Sequence, residues 1–228
     1  MRAHAVLRGA TEAEARGGLI ELDAWTAAYP IGPHRLAWEV AFPRPFAAEV
    51  DRAAGESGTP VGLLFAIMRE ESAFAPRALS RAGARGLLQL MPATAGKMAR
   101  PLGLPHDAEA LEQPDVNARL GARFLASLRR RFAHAPLLAV PAYNAGPLAV
   151  ERWCAERPSL DFDLWVEAIP YRETRLYTKR VLASLAAYEA LAGAPGTSEV
   201  FLTPRRVCPE VPATGEVATS PGGGVDAP

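Results

Sequence analysis

Apolar residues recurring at helical spacing, cut into short lengths by proline and glycine, constrain this chain more than any other feature. Residues 11–30, TEAEARGGLIELDAWTAAYP, read as a helix that stops before Pro30. A Pro-punctuated connector, YPIGPHRLAWEVAFPRP, ends near Pro45, and FAAEVDRAAGESG follows as a short helix with Pro45 at its first turn and Gly58 beyond its end. Thr59 then stands where an N-cap would, with Pro60 opening the next helix. In APRALSRAGARGLLQLMPATA, Gly83 and Gly86 break the pattern and predict a turn or short irregular hairpin, after which Pro92 starts another helix. QPDVNARLGARFLASLRRRF puts Val116, Leu120, Phe124, Leu128 and Phe132 on one face, opposite Arg119, Arg123 and Arg130. Those arginines read most simply as a solvated face, with a basic groove lining as the alternative. PLLAVPAYNAGPLAVERW reads as two short helices hinged at Gly146-Pro147, and YRETRLYTKRVLASLAAYEALAG as a closing helix stopped by Gly193. The expected fold is therefore all-α dominated.

Composition narrows the function classes. The chain has 228 residues, 49% hydrophobic side chains, and 25 Lys+Arg against 25 Asp+Glu. That is room for one good-sized core and no bulk basicity to draw nucleic acid or a membrane surface. No apolar run is long enough to span a bilayer. Cys154 and Cys208 do not make a disulfide framework or a CxxC site; two unpaired thiols are expected, with one disulfide as the alternative. The N-terminal stretch MRAHAVLRGATEAEARGG lacks the apolar run of a secretory signal. From Gly193 to Pro228 the chain is rich in Pro, Gly, Ser and Thr, which predicts a disordered tail.

One residue breaks the helical logic. Leu64, Ile67, Met68 and Glu71 fall at i, i+3, i+4 and i+7, so an acid ends an apolar stripe. A carboxylate taken out of water shifts its pKa upward, finds a partner, or both. A Glu with a raised pKa is what a general acid for glycosidic bond cleavage must be. The same spacing also admits a helix that ends at Met68, with Glu71 pointing into solvent.

Five features call for a joint explanation: Glu71-Ser72, SRAGARGLLQLMPATA, the Asp115-Val116-Asn117 helix start, AYNAG, and IPYRETRLYTKRVL. Taken in this order, they resemble the catalytic domain of the soluble lytic transglycosylases, the SLT family, from roughly Phe42 to Leu191. The resemblance implies an α+β lysozyme-like fold, mostly helical, with a small β-like hairpin around GLLQLM beside the cleft. It divides the chain into residues 1–41, an N-terminal helix and Pro-rich connector or the stub of an upstream helical domain; 42–192, the catalytic domain; and 193–228, the tail. It implies glycan strands of peptidoglycan as the partner, a place in the cell envelope or periplasm, and no metal or cofactor. The family cuts the β-1,4 bond between N-acetylmuramic acid and N-acetylglucosamine without adding water, because the muramyl C6 hydroxyl attacks C1 and leaves a 1,6-anhydro end. One carboxyl suffices for that chemistry, whereas most glycosidases need two.

Residue roles follow from the resemblance alone. Glu71 would be the acid and then the base. Ser72 would support the loop, and Gly86, with Gly83 and Gly146, would make tight turns or let backbone approach the sugar. Ser80, Gln89 and Met91 match positions lining acetamido-sugar subsites, with Gln89 able to donate and accept and Met91 supplying an apolar wall or packing in the core. Tyr143 and Asn144 match the tyrosine beside the acid and its neighbour; a buried core tyrosine with a satisfied hydroxyl is the alternative for Tyr143. Glu173 and Tyr177 sit four apart on one helix face, with Arg172 or Arg175 as rival partners for Glu173. Glu70 departs from the family, where Gln is common. Rival functions are a hydrolytic lysozyme of the same fold and a non-catalytic glycan-binding module.

Overall fold

The computed structural model describes residues 35–193 together with Val207 and Cys208. The expected helix over 11–30 lies outside the described residues. The described helices are α1 (Arg35–Ala41), α2 (Ala47–Ser57), α3 (Val61–Ser72), α4 (Pro92–Ala99), α5 (Pro114–Arg131), α6 (Ala139–Ala145), α7 (Pro147–Glu156), α8 (Phe162–Glu167) and α9 (Arg172–Leu191). Short 3-10 turns cover Arg100–Leu102, Ala110–Glu112 and Pro136–Leu138.

Helix α3 is the centre of the domain. Leu63 to Met68 are all buried, so the helix is apolar on every side through its middle, which only a core position tolerates. It packs against α9 and α2, while α2 packs against α5 and α9 also meets α6. The main core runs through these helices and includes Trp153, Trp165 and Tyr188. A smaller one, with Leu90, Ala95, Leu111 and Leu120, seats α4 on α5. On α5, Leu120 and Leu128 are buried as the spacing predicts, as is Phe132 just past its end, while Val116 and Phe124 are half-buried. Arg119 pairs with Glu56 at 2.8 Å, in keeping with a surface face rather than a groove lining.

Gly146 (φ 84) separates α6 from α7, and Gly193 (φ 78) follows α9, as their places in the sequence predict. Three boundaries differ from expectation. The Pro-punctuated connector contains α1, held by the Arg35 guanidinium donating to Leu191 O at 2.8 Å and by Phe42 meeting Tyr188 edge-on at 5.5 Å. Pro45 lies in the turn before α2, which starts at Ala47 after Phe46 adopts a left-handed conformation (φ 57). Thr59 does not cap α3: its hydroxyl donates to Ala122 O at 3.2 Å, a tertiary bond to α5, and Pro60 takes the N-cap position. Position in sequence could not reveal that competing acceptor.

The two cysteines correct the free-thiol expectation. Cys154 on α7 and Cys208 form a disulfide, with Cα atoms 5.1 Å apart. Val207 and Cys208 are buried in the main core, so this part of the expected tail is packed.

Candidate active site

Glu71 lies in the last turn of α3, which runs on past Met68 to Ser72. Ala73 (φ 48) and Phe74 (φ 65) then turn the chain sharply in the left-handed region. The Tyr177 phenol of α9 donates to Glu71 Oε1 at 2.8 Å. Burial pushes the Glu71 carboxyl up to about 7; the Tyr177 bond opposes that rise, and the negative charges of Glu70 and Glu173 add to it. Burial raises the Tyr177 phenol well above its ordinary value, with the Glu71 charge adding, so Tyr177 stays a neutral donor. A neutral donor steadies the carboxyl without a full positive charge to hold it ionised.

After α3 comes an irregular hairpin at residues 78–91, where single antiparallel bridges join Leu79 to Arg85 and Arg85 to Leu90. Ser72 anchors it from α3, donating its hydroxyl to Leu87 O at 2.8 Å. Ser80 closes its turn by accepting the Ala84 N–H at 2.9 Å, leaving its own O–H available. Gln89 is held in a left-handed conformation (φ 44), and its Nε2 donates to Ala78 O at 3.1 Å and Gly86 O at 2.9 Å. The expected two-way amide is therefore half used: both donors hold the loop, and Oε1 remains to accept. Met91 is 43% exposed at the N-cap of α4, which favours the apolar-wall reading over core packing. Gly86 (φ 78) fits the tight-turn expectation and is buried against α5, where a Cβ would overlap the Asn117 side chain and Leu111 O.

Asn117 is the residue the sequence reading left without a role. Fully buried on α5, its Nδ2 donates to Arg85 O at 3.0 Å and Leu111 O at 2.8 Å, while its Oδ1 accepts the Leu88 N–H at 2.8 Å. Tyr143 holds the other side of the same residue, donating its hydroxyl to Leu88 O at 2.7 Å. Tyr143 is half-buried with a satisfied hydroxyl, and it lies near enough to feel the Glu71 charge, which adds to burial in raising its pKa well above the ordinary value. Asn117 carried a signal of the kind Glu71 gave: a polar side chain three residues before buried Leu120, on the helix's apolar side.

The remaining candidate residues lie on α6 and at the start of α9. Asn144 is exposed, and its Oδ1 accepts the buried Thr174 hydroxyl at 2.6 Å. That bond fixes which end of the amide faces out, leaving the Asn144 NH2 as the outward donor. Glu173 is exposed and bears on Glu71 electrostatically. Among the described residues neither rival arginine pairs with it: Arg175 instead donates to Ile169 O at 2.9 Å. The structure therefore brings Glu71, Tyr177, Tyr143 and Glu173 into one electrostatic unit. Ser72, Gly86 and Gln89 build the hairpin beside it, and Thr174 and Asn117 are added as supports.

Comparison with known proteins gives the chain a family. The family model for the transglycosylase SLT domain matches residues 49–166. The soluble lytic murein transglycosylase of Salmonella typhimurium is 37% identical over 131 residues, covering 56% of this chain and 20% of that protein. A putative soluble lytic murein transglycosylase of Haemophilus influenzae is 40% identical over 128 residues, covering 55% of this chain and 22% of its own. The chain thus spans about a fifth of the length of the curated relatives it matches. Among solved structures, an inactive glutamate-to-glutamine mutant of lytic transglycosylase Slt from Pseudomonas aeruginosa superposes with a TM-score of 0.65 at 41% identity, covering 69% of this chain and 26% of that one. The 70 kDa soluble lytic transglycosylase of Escherichia coli gives a TM-score of 0.67 at 28% identity, covering 83% and 32%. With a helix-dominated lysozyme-like fold and a family match across more than half its length, the chain belongs to the transglycosylase SLT domain family.

Proposed function

We propose that this domain is a peptidoglycan lytic transglycosylase that cleaves the β-1,4 bond between N-acetylmuramic acid and N-acetylglucosamine. The observation that carries the reading is the Glu71 carboxyl, raised to about 7 by burial and held by the neutral Tyr177 phenol. A carboxyl with that affinity for its proton is divided between acid and base near neutrality, as a group that must play both parts requires.

Glu71 gives its proton to the glycosidic oxygen as the C1–O bond breaks, releasing the N-acetylglucosamine hydroxyl. Positive charge at C1 is met by the sugar's own 2-acetamido oxygen and by the now ionised Glu71. The muramyl C6 hydroxyl then attacks C1 and returns its proton to Glu71, closing the 1,6-anhydro ring with no water consumed. Tyr177 holds the carboxyl in line throughout. The free acceptor of Gln89, the free hydroxyl of Ser80 and the outward NH2 of Asn144 suit the acetamido groups flanking the bond, and exposed Met91 suits a sugar face. The Cys154–Cys208 disulfide suits an oxidising compartment such as the periplasm.

Glu173, exposed and without an ion-pair partner among the described residues, favours one second reading, hydrolysis, because it supplies the second carboxylate that could activate a water. Mass spectrometry of the glycan ends released from purified sacculi separates the two. Anhydro-muramyl ends, lighter by one water than reducing ends, are expected from the wild type and absent with Glu71→Gln. Reducing ends would make the domain a lysozyme. No cleavage, with sacculus binding retained by both proteins, would make it a glycan-binding module.

A further inference from the structure

Two acids stand side by side at the end of α3, and α9 answers them with different donors. Glu71 receives the phenol of Tyr177. Glu70, whose side chain is only 14% exposed, receives the guanidinium of Arg180, three residues further along the same helix, through Nε. The allocation matters chemically. A guanidinium on Glu71 would hold it ionised and unable to act as an acid, whereas a phenol leaves it free to take up a proton. Placed on Glu70, the same cation offsets the charge that lies next to Glu71 in the chain.

We propose that Arg180 is a positioning residue for the reaction, setting the pH range over which Glu71 carries its proton and doing so through Glu70. The inference rests on the reading of Glu71 as the acid. The charged and titratable groups that bear on the pair are few. Glu173, Tyr177 and Arg180 face it from α9, and Tyr143 faces it from α6. Arg69, on the preceding residue of α3, is turned away, donating to Ala41 O at 2.6 Å and lying over the Phe42 ring at 4.6 Å. Lys179 is directed at Glu167. Arg180 is thus the cation given to the acid pair among the described residues. Glu70 raises the proton affinity of Glu71, and Arg180 limits that rise.

The test is a thermodynamic cycle read from the alkaline limb of kcat/KM and, independently, from 13C NMR titration of the Glu71 carboxyl, assigned by its loss in Glu71→Gln. Arg180→Gln leaves Glu70 uncompensated and should move the Glu71 midpoint up by about half a pH unit. Glu70→Gln should move it down, and the double variant Glu70→Gln/Arg180→Gln should match Glu70→Gln alone. Arg180→Lys, which keeps the charge, should restore the wild-type midpoint. A purely structural role for Arg180 would lower activity without moving the midpoint, and a direct role would persist in the double variant; either result overturns the proposal. Activity surviving in Glu71→Gln would instead overturn the reading of Glu71, while the NMR midpoints would still judge Arg180.

Discussion

Replacing Glu71 by Gln should make the protein more stable in alkali while changing little in acid. In the folded chain burial lifts this carboxyl from 4.5 to about 7, and unfolding returns it to 4.5. Below the lower value it is protonated in both states and exacts no penalty. As pH rises from 4.5 toward about 7, the unfolded chain releases its proton while the folded chain retains it, so stability falls. Above the upper value the folded state carries a buried charge, at a cost of ~3 kcal/mol for a rise of this size at 1.36 kcal/mol per tenfold in proton affinity. Partial exposure of the carboxylate reduces that, so the advantage of Glu71→Gln over the wild type should widen by about 2 kcal/mol between about pH 5 and about pH 8.5. The amide keeps the side chain's shape and still accepts the Tyr177 phenol, so other titrating groups cancel in the comparison. Urea denaturation of both proteins at the two pH values measures the gap. An equal gap at both would mean that the carboxyl is solvated, and the argument from burial to acid catalysis would collapse. The same substitution should abolish turnover, so stability and function pull this residue in opposite directions.

Two further outcomes follow from contacts beside the site. Asn117→Ala removes three buried hydrogen bonds that fix the hairpin, and should cost about 3 kcal/mol in chemical denaturation while raising KM for glycan; a loss below about 1 kcal/mol would show that the hairpin holds its shape without it. Reducing the Cys154–Cys208 bond, which closes a sequence separation of 54, should cost about 2–4 kcal/mol and lower the melting temperature, whereas a Cys154→Ser/Cys208→Ser variant should melt alike with and without reductant.

Local chemistry made much of this fold legible in the sequence. Pro92 and Pro147 lie at helix starts because their fixed φ suits the first turn, and Gly58, Gly146 and Gly193 follow helices because they tolerate positive φ. The apolar stripe ending in Glu71 pointed to the central helix and to one costly residue, but the same spacing admitted an end at Met68, and only the fold carried the helix on to Ser72. Tertiary packing decided the rest. Which tyrosine meets Glu71 depends on how α9 lies across α3, bringing together residues 106 apart; Tyr177 takes that bond, while Tyr143 turns its hydroxyl to a backbone carbonyl that has no signature in sequence. Thr59 left its capping role for Ala122 O, Asn117 found three backbone partners on the hairpin and before α5, and Cys154 found Cys208, each through a long-range meeting. Spacing along the chain reports the face a residue shows, whereas the partner waiting on that face is set only when the helices pack.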